Sequence, residues 1–462
     1  MAVLPSAIHA QQSPAAMTLQ QAISLAQEHG DPARAAAATR DAARYRHRAF
    51  YSRLLPQLSL GGTLPSYNRS IIQVVQPDGS TIFVPQNQTQ ASLTATLSQQ
   101  IPFTGGDFFV TSSLARLSIS GEEAFRSYSS TPVSFGIRQP LFRPNVASWD
   151  RREESVRGEL SERQFLEARE DIAIQTAVLF FDVYAARVAR DNAARNAVIN
   201  DTLYTLNNGR FQVGRIGEND LLQSELQLLR SRTTLDGARL EYDRALAALR
   251  LALNLAPDAP LEIAATGVVP DFDADTTRAV AEALENRASV SDVALQEVTA
   301  RRRVSEARLA PGLGATVQAS YGFNATGDQL SLAYRDLLEA RQFSVSVQFP
   351  LWQWGARKET LKAAEADRDR VASNGRNTIR QTAQEAHFAA LQLSQARRSL
   401  VLSAKADTVA TKRFEVAYNR YVIGRIAIDN LFLAQNEKDQ ARNQYVQALR
   451  NYWQAHYRLR RL

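Results

Sequence analysis

The spacing of apolar positions along the chain switches between a helical period and strict alternation, and it does so twice in the same order. From Thr18 to Leu55, the residues Leu19, Ala22, Ile23 and Ala26 recur at helical spacing and an Ala-rich stretch follows. Pro56 stops this run, because its ring cannot continue the hydrogen-bond ladder. Between 57 and 142 the texture becomes Ser, Thr, Gln and Gly interleaved with aliphatics. "SLTATLS" sets Leu93, Ala95 and Leu97 on one side, and "VSFGIR" does the same with Val133, Phe135 and Ile137, the period of two that marks strands. Helical spacing returns over 148–208 and 219–255. After a linker opened by "APDAP", a helix over 276–310 stops at Pro311, and "TVQASYGF" and "FSVSVQF" alternate as strands. Helices then cover 356–419 and the remainder. The predicted organisation is a leader remnant at 1–17, a first repeat at 18–255 with strands within 57–142, a linker at 256–275, and a second repeat at 276–462 with strands within 312–350.

"RFQVGRI" (Arg210 to Ile216) and "RYVIGRI" (Arg420 to Ile426) mark the duplication most plainly, their glycines separated by 424 − 214 = 210 residues. Each stretch joins two helices, so Gly214 or Gly424 at positive φ ends the first, and Asn219, Asp220 or Asp429 is placed to cap the second. After the first turn Leu221, Leu228, Leu235, Tyr242 and Leu249 fall every seven residues, with Ser224, Ser231, Ala238, Ala245 and Ala252 three positions on. After the second, Leu431, Lys438, Tyr445 and Tyr452 pair in the same way with Ala434, Ala441, Ala448 and Ala455, one heptad out of step with the first copy. A large-and-small seam lets helices approach closely over a long distance. Helices of about 60 residues reach on the order of 90 Å, which makes a rod or the wall of a tube.

Charge and composition narrow the function. The net charge of +7 and the pI near 9.6 come from scattered arginines with only five lysines (Lys358, Lys362, Lys405, Lys412 and Lys438). No basic stripe with interleaved aromatics forms, so nucleic acid is not an expected partner. The absence of cysteine removes disulfides, thiolate metal sites and a lipid-bearing N-terminal cysteine. No HExxH, GxSxG or phosphate-binding loop is present, and His9, His29, His47, His387 and His456 are dispersed, so neither an enzyme nor a cofactor is expected. No uninterrupted apolar run approaches the roughly 20 residues of a membrane helix. "MAVLPSAIHAQQS" resembles the tail of an export signal, with Ile8 and Ala10 before a cleavage point, and an exported chain is expected. A water-soluble coiled-coil scaffold accounts for the heptads but not for the paired alternating segments at matched places in both halves.

Each half offers one clear hairpin, four strands in all. Four cannot close a barrel, and an open edge in lipid leaves backbone groups unpaired. Copies of the chain must complete the wall. Three give twelve strands, the expected count, unless the extra hairpin near 101–131, opened by "IPFTGGDFF", raises it to eighteen. The duplicated order, "LLPQLSL" (Leu54 to Leu60), "RQPLF" (Arg138 to Phe142) and "QFPLWQWG" (Gln348 to Gly355) at helix–strand junctions, and the twin turns resemble the TolC-like outer-membrane efflux channels over nearly the whole chain. The resemblance implies a mainly α fold with a membrane β-barrel portion: a homotrimer with a shared β-barrel in outer-membrane lipid and a long α-helical barrel in the periplasm. It also implies a passive exit duct for efflux or type I secretion, coupled through a periplasmic adaptor protein to an inner-membrane transporter.

By the same resemblance, the apolar turns carrying Val213, Gly214, Arg215 and Ile216, and Ile423, Gly424, Arg425 and Ile426, are the adaptor-docking tips. The family narrows its tip with polar and acidic side chains from the helix after each turn. Asp220 matches one such position, while Asn430 and Leu433 occupy the corresponding places in the second copy, and Tyr421 keeps a family aromatic linked to closure. The acidic ring is therefore expected to be sparser than usual, with Arg215 and Arg425 adding positive charge nearby.

Overall fold

The computed structural model describes residues 16–120, 124–264 and 272–462, so the leader reading up to residue 15 lies outside the described residues. In chain order the elements are α1 (Leu19–His29), α2 (Asp31–Arg53), β1 (Gln57–Val75), β2 (Thr81–Ile101), β3 (Gly106–Ser120), β4 (Phe125–Leu141), α3 (Val146–Gln212) and α4 (Glu218–Ala252). The second series is α5 (Thr276–Asn286), α6 (Ala288–Leu309), β5 (Gly314–Gly327), β6 (Leu338–Gln348), α7 (Ala356–Val422) and α8 (Ile428–Arg461). The chain divides into two compact units. One joins the described residues up to Asp41 with Ser161–Val290 and Thr378–Leu462; the other is Ala42–Leu160 with Ser291–Asn377.

The second unit holds an antiparallel six-stranded sheet in the order β1-β2-β3-β4-β5-β6. The expectation of four strands per chain is thereby corrected. The 101–131 stretch supplies the β2–β3 turn, all of β3 and the start of β4, all paired to their neighbours. Residues opposite one another share a face, and two rows near the helices show the separation. Leu58, Leu97, Val110, Phe135 and Tyr321 lie side by side across five strands on one face; Ser59, Thr96, Thr111 and Ser134 do so on the other.

Two bulges keep these faces continuous, and each contains a proline, which has no amide to give the ladder. The first, between Thr63 and Ser66, switches parity so that Tyr67 and Ile71 continue the apolar face of Leu58 and Leu60. The second lies in β4 at Pro132. β3 alternates poorly in the sequence because Phe109 lies on the polar face, where its ring fills the space a Cβ at Gly136 would take. Asn145 fixes the β2–β3 turn. Its Nδ2 donates to Pro102 O at 2.8 Å and Phe103 O at 3.0 Å, while its Oδ1 accepts from the Ser148 amide at the start of α3.

In the first unit, the apolar stretch of α3 around Phe180 is long and apolar enough to cross a membrane by composition, but Ile172, Ala177, Phe180, Phe181 and Val183 are packed core. They meet Leu19 and Ile23 of α1, Leu249 of α4, Leu393 of α7, and Leu449 and Tyr452 of α8. Met17 pairs with Ile263, tying the segment before α1 to the linker.

The helices expected over 18–55 and 276–310 are each split. Gly30 is extended, and a Cβ there would meet Ala26 O at 2.5 Å and Ala252 O at 3.2 Å. Arg287 is extended too. Its Nε lies 3.4 Å from Glu167, whose carboxylate also accepts from the Ala288 amide at 2.9 Å and so caps α6 from another helix.

α7 carries two heptad stripes. Ala386, Leu393, Leu400, Phe414 and Tyr421 are buried, whereas Phe388, Leu402, Val409 and Val416 are exposed, a row that Ile423 extends just past the helix end. Two residues turn a helix by roughly 200°, so the stripes lie on nearly opposite sides. α4 likewise buries Ser224, Leu228 and Ser231 while Leu222, Leu226 and Leu229 remain exposed.

Candidate functional site

The two Gly-Arg-Ile stretches end α3 and α7 in the same way. The amide of Gly214 donates to Phe211 O at 2.8 Å and that of Arg215 to Arg210 O at 2.9 Å; those of Gly424 and Arg425 donate to Tyr421 O and Arg420 O, both at 2.9 Å. This bond pair is the Schellman termination, and it holds the glycines at φ +71° and +74°, where any side chain is strained. The next helices start on Gly217 and Ala427, neither with a side-chain cap. The expected capping by Asn219, Asp220 or Asp429 is thereby corrected. These residues lie inside the first helical turns, where the two aspartates meet the positive end of the helix dipole.

At the turns Val213 is 69 % exposed and Ile423 64 %. Arg215 and Arg425 are exposed, and Ile216 and Ile426 are half-buried, the latter against the cluster of Leu203, Phe414, Leu431 and Ala434. Behind the turns Tyr421 is only 5 % exposed. Its hydroxyl donates to Asn207 Oδ1 at 2.7 Å, and Arg210 donates to Val422 O at 2.8 Å with its guanidinium 5.3 Å from the Tyr421 ring centre. Burial is the main reason the Tyr421 phenol is pushed up from its ordinary value. The Asn207 bond and Arg210 pull it down, and the charge of Asp220 pushes it up.

Asp220 is near enough for its charge to act on the Tyr421 phenol. Asn430 and Leu433 are exposed on α8, away from its buried Leu431 and Ala434, and do not join this cluster. Asp429 instead accepts from Gln223 at 2.5 Å, linking α8 to α4. Sequence reasoning missed Asn207, Arg210 and Gln223. For Asn207 a signal existed: Asn200, Leu203 and Asn207 follow heptad spacing in α3, and all three are buried. Among the described residues no group of side chains is arranged to hold a metal ion. The cluster offers hydrogen bonds and shape, with no paired acid and base.

The model of the outer membrane efflux protein family matches residues 108–255 and 279–462, well over half of the chain. The chain belongs to this family. Its fold is that of several solved channels. The Campylobacter jejuni CmeC outer membrane channel superposes with a TM-score of 0.69 at 17 % identity, covering 96 % of this chain and 84 % of that one. The Vibrio cholerae outer membrane protein VceC gives 0.68 at 15 % identity, with 96 % and 94 % covered. The open state of the Neisseria gonorrhoeae MtrE outer membrane channel gives 0.62 at 15 %, with 96 % and 88 % covered. Comparison with curated proteins finds no match. This efflux protein is therefore a transport channel of mainly helical fold with a membrane β-barrel portion, and not an enzyme. The family match contains most of β3 and all of β4 to β6, and leaves β1 and β2 outside it.

Proposed function

We propose that the chain is a bacterial outer-membrane channel that works as a homotrimer, a passive exit duct to which an inner-membrane transporter delivers cargo through a periplasmic adaptor. The sheet carries this reading. In the rows nearer the helices one face carries exposed Leu58, Leu60, Leu97, Phe135, Val345 and Val347, the other carries Ser59, Thr96, Thr111, Ser134 and Ser346, and both edge strands are open. Lipid suits the first face and water the second, and only further copies of the chain can complete the edges. Exposed aromatic residues stand on the apolar face, as Tyr67 and Tyr321, and after the helix end of β6, as Phe349, Trp352 and Trp354, residue types that suit the surfaces of a bilayer.

The exposed stripes of α4 and α7 are the matching helical seams between copies. Val213 and Ile423, exposed on two equivalent turns, present an apolar surface to the adaptor, and the Asp220–Tyr421 cluster holds the mouth narrow. Detergent extraction should yield a heat-modifiable trimer; recovery in the aqueous fraction without detergent would sink the channel reading. Val213→Asp with Ile423→Asp should abolish export while leaving the trimer intact. Unchanged export by that variant would refute the docking role.

A further inference from the structure

Given the threefold assembly proposed above, on which this inference rests, we infer that the barrel has eighteen strands and that its seams are formed by β6 of one copy pairing with β1 of the next. Six strands per chain is an even number, so β1 and β6 run in opposite directions and can continue the antiparallel ladder from copy to copy. All six strands are paired in one continuous antiparallel ladder, so none is a loop laid outside the wall.

The register supplies the stagger that closure requires. Starting from Gln57, the pairs run to Ser98, Phe109, Gly136, Ser320 and Gln342, yet β6 continues to Gln348. Each chain therefore drops by 348 − 342 = 6 residues at the end where the strands meet the helices. Three such chains have a shear equal to their strand number. With a rise of about 3.3 Å and a strand spacing of about 4.8 Å, this means a tilt of about 35°, within the range that barrels adopt.

The same drop sets Gln348 beside Gln57 of the neighbouring copy. Leu58 then faces Val347, Ser59 faces Ser346 and Leu60 faces Val345, apolar on apolar and polar on polar. An odd drop would turn the leucines against the polar face. Eighteen strands at this tilt enclose a cylinder about 34 Å across between backbones, against about 22 Å for twelve, so the polar face lines a wide aqueous exit.

The chain has no cysteine, which makes disulfide trapping direct. Ser59→Cys with Ser346→Cys, oxidised in the membrane, should give a reducible covalent trimer, and neither single variant should. Thr111→Cys with Ser344→Cys reports a twelve-stranded wall in which β3 is the edge; covalent trimers from that pair alone would overturn the inference. Absence of linkage by either pair, with a native mass of three chains, would overturn it as well. A native mass other than three would instead refute the threefold assembly. Imaging of the unmodified assembly counts strands without any substitution: eighteen supports the inference and twelve refutes it.

Discussion

Replacing Tyr421 by Phe removes one hydroxyl and nothing else. That hydroxyl holds Asn207, a residue 0 % exposed whose Nδ2 has no partner, so the variant leaves a buried amide wholly unpaired. Such a loss costs about 1–3 kcal/mol. Taking about 1.4 kcal/mol per copy, three copies opening together shift the closed-to-open ratio by about a thousandfold. The assay is the conductance of purified trimers in planar bilayers, with entry of a bulky, normally excluded antibiotic into cells as the physiological counterpart. Tyr421→Phe should raise both. Tyr421→Phe with Asn207→Leu should restore much of the closed state, because the orphaned amide is then gone. The pH response has a definite sign. The folded phenol is raised above its ordinary value near 10, so its neutral form, and the bond it donates, persist below that pH and are lost only as pH climbs through the raised value. Conductance should stay flat between about pH 6 and 9. A Tyr421→Phe channel with wild-type conductance would show that this bond does not hold the tip.

Three further outcomes are expected. Val409→Asp with Val416→Asp, on the exposed stripe of α7, should convert trimers to monomers in native mass measurement while helix content by circular dichroism stays unchanged. Arg302 joins Asp150 at 2.6 Å, Glu153 at 3.1 Å and Glu306 at 2.8 Å, so Arg302→Met, which strands the buried Glu153 carboxylate, should destabilise the fold by about 3 kcal/mol in denaturant titration. Burial, helped by Arg460, lowers the pKa of His456; stability present above the ordinary histidine value is lost as pH falls through the lowered one, and His456→Gln should flatten the acid limb of the melting profile.

The features legible in the sequence are those set by neighbouring residues. A Schellman turn needs a left-handed residue at one position, so Gly214 and Gly424 declared the turns, and strict alternation declared β2, β4, β5 and β6. Features depending on distant residues stayed hidden. The break at Arg287 is held by Glu167, and β3 was obscured because Phe109 covers a glycine on the next strand. The cluster behind the turns was half legible. Asp220 and Tyr421 follow from spacing to the glycines, but the partner of Tyr421 lies 214 residues away in sequence on another helix.

The two open edges of the sheet also bear on heredity. In the threefold assembly proposed above, no single chain completes its own hydrogen-bonded wall, so every chain's β6 is a condition for its neighbour's function. When a chain with a damaged β6 edge is made in equal amount with the intact one, about one trimer in eight escapes it. A lesion in this strand should therefore behave as dominant, and a second intact gene copy should rescue export poorly.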